Sequence, residues 1–384
     1  MIAYSKQWLD ALLIRDTARE WQTRGLLTGS QWQAIQGAHP TNFYSPNVFV
    51  RIGLAIFCLI LLLAIMGLVA MFIEPDTTTG FALFSLFWGV VWINVLEQWA
   101  IRKSRHYGSG IDDVLLYVGS AAIITGLCSL LPDDAGALAY CCVAWPFLVV
   151  ASIRYLDRLV TAAAFICSLL IVLLSVKEVP VAAIYLLPFA GMLFAAGAYY
   201  YARHKQQIYA QRHWYGVLVV VEILALVTFY ASGNYWVVQD VGSELFQIEQ
   251  VPLGWFFWSF TYVVPLLYIF LGLRRKDRLL LDIGLAAVAV AVFTFRYYFH
   301  ILPLAWAATL AGAVLFALAY FSIRYLRKNE GRYTYESGSE KSLLQEVEEQ
   351  LLEQTIASQP TPAPVRQESF GGGQFGGGGA GQDF

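Results

Sequence analysis

Charged residues are scarce in this chain. Only 14% of its 384 residues are Asp, Glu, Lys or Arg, while 58% are hydrophobic and the mean hydropathy is +0.57. Soluble proteins carry about 25% charged residues, so a soluble domain is excluded. The net charge of −2, with basic residues spread over short turns, gives no basic face for nucleic acid. The composition therefore predicts a protein whose main partner is the lipid bilayer.

Cysteine and catalytic motifs are also scarce. The five cysteines lie in apolar segments and form no Cys-x-x-Cys pair or Cys/His cluster, so neither a disulfide framework nor a zinc site is expected. The chain contains no Gly-x-Ser-x-Gly, no His-Glu-x-x-His and no phosphate-binding glycine loop. We therefore expect a protein that is not an enzyme, with no catalytic residues, no metal and no cofactor.

Long apolar runs are the dominant feature of the chain. A helix needs about 20 apolar residues to cross a bilayer, and continuously apolar runs indicate helices rather than the alternating strands of a barrel. The sequence predicts an all-α polytopic transmembrane helix bundle of ten spans over residues 50–323. The predicted spans are 52–73, 81–100, 114–131, 135–153, 159–176, 181–201, 214–232, 254–273, 279–295 and 303–323.

Lysine and arginine are nearly missing from one side of this bundle. With ten spans, 23 of the 25 Lys and Arg residues fall on the side that holds both termini. The opposite side has only Lys177 and Arg296, together with acidic or polar turns, one of which is the stretch 233–254. Because cytoplasmic loops collect Lys and Arg, we predict that both termini are cytoplasmic.

Short sequences recur in the two ends of the bundle. Residues 152–156, Ser-Ile-Arg-Tyr-Leu, recur as 322–326, and the stretch 115–122 in the third span resembles 280–287 in the ninth. A shift of six helices preserves orientation, so the pattern predicts a 4+2+4 arrangement in which spans 1–4 and 7–10 are parallel repeats. Chance recurrence of basic turns and Leu/Ala/Gly runs is the alternative.

Residues 1–49 form a cytoplasmic segment. An amphipathic helix is predicted over 5–24, and Ser30 is placed to cap a second, short helix. The pattern Trp-Gln-Thr-Arg-Gly-Leu-Leu-Thr-Gly-Ser-Gln at 21–31, ahead of a long apolar run, resembles a family of bacterial polytopic membrane proteins catalogued only as a domain of unknown function. The resemblance implies a location in the bacterial inner membrane and carries no activity.

Residues 324–384 form a cytoplasmic tail. A short acidic helix is predicted over 339–356, followed by a proline-rich linker and a glycine-rich end expected to be disordered. The Phe-plus-glycine ending at 370–380 resembles the C-termini of some bacterial membrane proteins that carry the TPM domain, although that domain is absent here. We expect any protein partner to bind this tail or the N-terminal helix.

Carboxylates inside predicted spans are the candidate site residues, because each costs several kcal/mol there unless it is paired or hydrated. Glu222 is expected near the midplane, as a proton or cation site or as a neutral group bonded to a neighbouring helix. Glu97 is expected to reach water or Arg102 at the cytoplasmic end of the second span. Asp282 is expected near a helix N-terminus, where the dipole favours it.

Two functions follow from these features. The first is an integral membrane protein whose cytoplasmic segments bind partners, and the alternative is a secondary transporter of a small solute or ion. A transporter should have a water-filled cavity that reaches Glu222 and is lined by polar groups from both halves. A protein that does not transport should be packed without water there.

Overall fold

The computed structural model describes residues 2–23, 26–178, 183–247 and 250–299, with isolated positions 309, 312, 313, 316, 317, 320, 321 and 324. Most of these residues are helical. The others form loops, which include one β-bridge between Tyr44 and His106. The all-α prediction is confirmed. The predicted tenth span, over 303–323, and the predicted acidic helix at 339–356 lie outside the described residues, except for those isolated positions.

Twelve α-helices lie in the described part of the chain, and nine of the long helices there are apolar enough to cross a membrane. Each of the nine coincides with one of the first nine predicted spans, so the chain is a multi-pass membrane protein. In chain order the helices are α1 (Lys6–Thr23), α2 (Gly29–Ala38), α3 (Val48–Ile73), α4 (Thr78–Val95), α5 (Ile111–Cys128), α6 (Ala137–Tyr155), α7 (Arg158–Lys177), α8 (Ala183–Gln206), α9 (Tyr215–Gly233), α10 (Tyr235–Phe246), α11 (Gly254–Arg275) and α12 (Arg278–Tyr298).

The helices α4 and α8 are among those that extend beyond the predicted spans. A π-helical turn, Leu96–Lys103, continues α4, so that this span runs over Thr78–Lys103. The helix α8 ends at Gln206 rather than at residue 201. Both extensions carry basic side chains. A prediction from hydropathy ends the span before such residues, whereas the helical backbone continues through them.

The helix α10 replaces the polar turn that the sequence predicts over 233–254. Asn234 separates α10 from α9, and its side-chain oxygen accepts hydrogen bonds from the amides of Trp236 (3.0 Å) and Val237 (3.4 Å). With 12 residues, α10 is too short to span the bilayer. The prediction of a turn is wrong because the Asn cap and the apolar positions that follow it start a new helix.

Glycine allows α4 and α5 to approach closely. A Cβ atom added to Gly89 would lie 2.8 Å from the amide nitrogen of Ile123 and 3.0 Å from the carbonyl oxygen of Gly119. A Cβ at Gly126 would lie 2.8 Å from the carbonyl oxygen of Ala82. Small residues are what such backbone approach requires in lipid.

The pair α11 and α12 packs like the pair α4 and α5. Gly119 of α5 faces Ile93, whose Cδ1 would lie 3.1 Å from an added Cβ, and Gly284 of α12 faces Ile269, whose Cγ1 would lie 3.0 Å away. The two glycines occupy equivalent positions in the predicted repeat. The agreement supports the equivalence of spans 2–3 with spans 8–9, while the full 4+2+4 arrangement stays a prediction.

The N-terminal segment packs against the bundle. We call residues 2–47 the N-terminal layer, and the end of the bundle that it contacts the N-terminal face. Arg212 between α8 and α9 binds both carboxylate oxygens of Asp10 in α1, at 2.7 and 2.8 Å. The amide of Ala3 donates to the carbonyl oxygen of Arg154 at the end of α6 (2.9 Å). The predicted helix over 5–24 is therefore present, and it is held by the turns of the bundle.

The N-cap of α2, the second helix of the N-terminal layer, lies two residues earlier than predicted. The Thr28 hydroxyl accepts a hydrogen bond from the amide of Gln31, and the Gln31 side chain accepts one from the amide of Thr28. This reciprocal pair is a capping box, so Thr28 caps α2. The prediction that Ser30 is the cap is wrong because Ser30 already lies inside the first turn.

Candidate functional site

Glu222 is fully buried in α9 and belongs to a cluster of polar side chains. Its Oε2 accepts a hydrogen bond from Gln206 (2.8 Å), and its Oε1 lies 3.3 Å from Nη1 of Arg203. Arg203 also binds Asp277, the N-cap of α12, through Nη2. We call Arg203, Gln206, Glu222 and Asp277 the Glu222 cluster. It joins α8, α9 and α12.

The Glu222 cluster combines a residue from inside α9 with residues near the ends of α8 and α12. Gln206 is the last residue of α8, and Asp277 directly precedes α12. Glu222 itself lies about 10 Å along α9 from its first residue, two residues short of the middle of this 19-residue helix. The expectation that Glu222 lies near the midplane stays a prediction, and the long side chains of Arg203 and Gln206 reach it from the end of α8.

The charges of this cluster do not balance. The salt bridges that the described residues make to Glu222 and Asp277 both come from Arg203. The side chains of both carboxylates are nearly inaccessible, at 1% and 4% exposure. Two carboxylates against one guanidinium leave one negative charge buried, and a buried charge without compensation is costly.

Glu97 forms a second cluster on the same face. Arg154 binds both of its carboxylate oxygens, at 2.7 and 2.8 Å, and the hydroxyl of Tyr155 donates to Oε1 (2.7 Å). Arg102, the partner expected from the sequence, binds Gln98 instead (3.2 Å). The π-helical turn changes the register at this point, so that Glu97 faces α6. Glu97 is thus a structural ion pair at the end of two helices.

Asp282 lies on an exposed face of α12. Its side chain is 59% exposed and lies 3.7 Å from Arg278, one turn away. The buried carboxylate at the start of α12 is Asp277, whose Oδ1 accepts a hydrogen bond from the amide of Leu280 (3.3 Å). Asp282 is the fifth residue of α12, whereas Asp277 is the residue that caps the helix, and the signal for Asp277 was its place just before an apolar run.

Asp277 has a counterpart in the other half of the predicted repeat. Asp112, at the start of α5, is buried and accepts hydrogen bonds from the amides of Gly108 (2.7 Å) and Ser109 (2.8 Å). The alignment of 115–122 with 280–287 pairs Asp112 with Asp277. Each carboxylate stabilises a helix N-terminus, and Asp277 also contacts the partly exposed Arg203.

Aromatic rings fill the contact between the N-terminal layer and the bundle. The rings of Tyr4 and Phe43 each pack on Tyr107, with centroids 5.0 and 4.9 Å apart, and the Arg105 guanidinium lies 5.0 Å from the Trp8 ring. Burial raises the pKa of Tyr4 and of Tyr107. Both phenols are therefore neutral at physiological pH, and apolar packing supplements the Asp10–Arg212 pair.

Glu222 does not line either of two well-formed cavities among the described helices. One has a volume of 260 Å³ beside α8 and α10, and the other is a groove of 860 Å³ between α6, α7, α8 and α9. Hydrophobic side chains dominate both linings. Glu222 is instead enclosed by protein. Neither of these two cavities is the one reaching Glu222 that a transporter should have.

Comparison with known proteins gives no match: no family model, no curated protein and no solved structure matches this chain. Among the described residues, no group of three or more His, Cys, Asp or Glu is arranged to hold a metal ion. The fold and its clusters define a multi-pass helical membrane protein.

Proposed function

We propose that this chain is a non-enzymatic integral membrane protein that binds a protein partner at the cytoplasmic surface through its N-terminal layer. One observation carries the proposal. The helix α1 buries Leu9, Ala11 and Ala18 against the rest of the protein, whereas α2 buries no residue. The layer therefore carries α2 beside α1, which packs on the bundle, and leaves the surface of α2 available for contact.

The charge distribution supports a cytoplasmic location for the N-terminal face. Arg102, Arg105, Arg154, Arg203 and Arg212 all lie at the helix ends and turns of that face. Short basic turns are retained on the cytoplasmic side during insertion. A bacterial inner membrane is the matching location, in line with the sequence resemblance. In the second cluster Arg154 neutralises Glu97, which favours a structural role for this carboxylate over acid–base catalysis.

Site-specific photo-crosslinking in cells tests partner binding. A crosslinking residue at the exposed Gln33 of α2 should give one discrete adduct, and the same residue at Glu178, an exposed position at the opposite end of the bundle, should give none. Asp10→Asn removes the charge that Arg212 binds and should lower the adduct yield at position 33 several-fold, since such charged pairs contribute about 1.5–3 kcal/mol.

Asp16→Asn is the matched control for this experiment. Asp16 lies in the same helix, and it makes no salt bridge with the described residues. Its substitution should leave the adduct unchanged. A protein with no adduct at position 33, or with equal yields from Asp10→Asn and Asp16→Asn, would contradict the proposed role of the layer.

A proton-coupled secondary transporter is the second candidate, and the uncompensated negative charge of the Glu222 cluster favours it. A proton taken up by Glu222 would balance the cluster, with Arg203 then paired to Asp277 alone. The transporter would have to open a path that the described conformation lacks. Proton flux into proteoliposomes should then fall at least tenfold in Glu222→Gln, a loss equivalent to about 1.4 kcal/mol. Equal flux in both proteins would rule this candidate out.

A further inference from the structure

The 860 Å³ groove has the size and lining of a ligand site. Its volume is within the range of about 300–1,000 Å³ that small-molecule sites occupy. Its two central hydroxyls, Ser152 and Thr161, bond each other at 2.7 Å, and the Ser168 hydroxyl accepts a hydrogen bond from the Trp145 indole (2.6 Å). These hydroxyls are therefore satisfied within the protein, and the groove offers an apolar surface.

The groove opens sideways, towards the lipid. Leu193 and Tyr201, both in its lining, are 76% and 58% exposed. Gly197, between them on α8, has no heavy atom within 4 Å of an added Cβ. Because α6 to α9 cross the bilayer, the exposed flank of the groove faces acyl chains rather than water.

The end of the groove at the N-terminal face is positively charged. Arg158 at the start of α7 lies 3.5 Å from the Cβ position of Gly216, next to the groove residues Trp214 and Val217. The ammonium of Lys205 lies 5.6 Å from the ring of Tyr201. Neither cation makes a salt bridge within the described residues. The Trp214 indole, bonded to the carbonyl oxygen of Ile153 (3.0 Å), marks the level at which amphipathic rings prefer to lie.

We propose that the groove binds an anionic phospholipid, with one acyl chain between α6 and α9 and the phosphate between Arg158 and Lys205. The apolar interior matches the chain, and the two cations match the headgroup. Basic pockets between membrane helices on one leaflet are the surfaces that anionic headgroups recognise. The lipid would also fill space that the α6–α7 and α8–α9 pairs leave between them.

Native mass spectrometry of the full chain, with phosphatidylglycerol and phosphatidylcholine of identical acyl chains, tests this assignment. The wild-type protein should retain phosphatidylglycerol preferentially. In Arg158→Gln/Lys205→Gln the preference should fall about tenfold or more, because each basic residue near a headgroup contributes measurably to binding. Gly197→Phe, which fills the groove from an open position, should lower retention of both lipids.

Matched controls separate the groove from the general surface. Arg102→Gln/Lys103→Gln removes two charges on the same face, and Gly67→Phe adds a ring at another open position on a lipid-facing helix. Both should bind lipid as the wild type does. The proposal is overturned if the two double variants lose selectivity equally or if the wild type shows no preference. It is also overturned if inorganic phosphate alone raises the melting temperature as much as the lipid.

Discussion

Replacing Arg203 with methionine should destabilise the bundle by about 3–5 kcal/mol, the range measured when one partner of a buried ion pair is removed. Glu222 and Asp277 would then be two buried carboxylates without their cation. Glu222→Gln should cost much less, because it leaves Arg203 with Asp277 as a balanced pair. We therefore expect Arg203→Met to destabilise the protein much more than Glu222→Gln does.

Thermal unfolding in detergent measures this asymmetry. The double variant Arg203→Met/Glu222→Gln should recover part of the stability lost in Arg203→Met, because it contains one buried carboxylate instead of two. Arg275→Met is the control, since Arg275 is exposed at the α11–α12 turn. If Arg203→Met and Arg275→Met melt at the same temperature, then Arg203 does not compensate buried charge.

Replacing Gly89 with leucine should separate α4 from α5. A Cβ at that position already approaches the backbone of Ile123 and Gly119 to 3.0 Å or less, and backbone cannot rotate aside as a side chain can. Overpacking of this kind costs about 1–3 kcal/mol, and more when helices must move. We expect a lower yield of monodisperse protein and a lower melting temperature.

Gly67→Leu provides the comparison for Gly89→Leu. Gly67 lies in α3 with no heavy atom within 4 Å of its Cβ position, so leucine there should project outward without strain. Both substitutions add the same side chain to a membrane helix. Size-exclusion profiles and melting temperatures that do not differ between the two variants would show that the α4–α5 contact tolerates separation.

The spans could be predicted closely from the sequence, and the helix ends could not. Hydrophobic length is a local property, so the apolar runs at 52–73 and 159–176 nearly coincide with α3 and α7. The ends of α4 and α8 were placed too early because charged residues continue each helix. The helix α10 was missed because a 12-residue amphipathic helix is too short for a span signal.

The candidate site, too, was only partly predictable from the sequence. Glu222 stands out in the sequence as a lone charge in an apolar run, and it is the centre of a buried cluster. Its partners are Arg203, in the last turn of α8, and Asp277, the N-cap of α12, which lie 74 residues apart along the chain. In the sequence each resembles any other charged residue near a helix end. Asp282 was chosen over Asp277 for lack of this contact information.

The amino-acid composition and the succession of apolar runs were enough to establish that lipid surrounds most of this protein. This is because the transfer of each apolar run into lipid depends on the hydrophobicity of that run alone. The pairing of charges and the attachment of the N-terminal layer depend on which helices are neighbours. Glu97 binds Arg154 rather than Arg102, and Asp10 binds Arg212 across 202 positions of sequence. Such contacts exist only after the helices have packed, since salt bridges require side chains within a few ångströms.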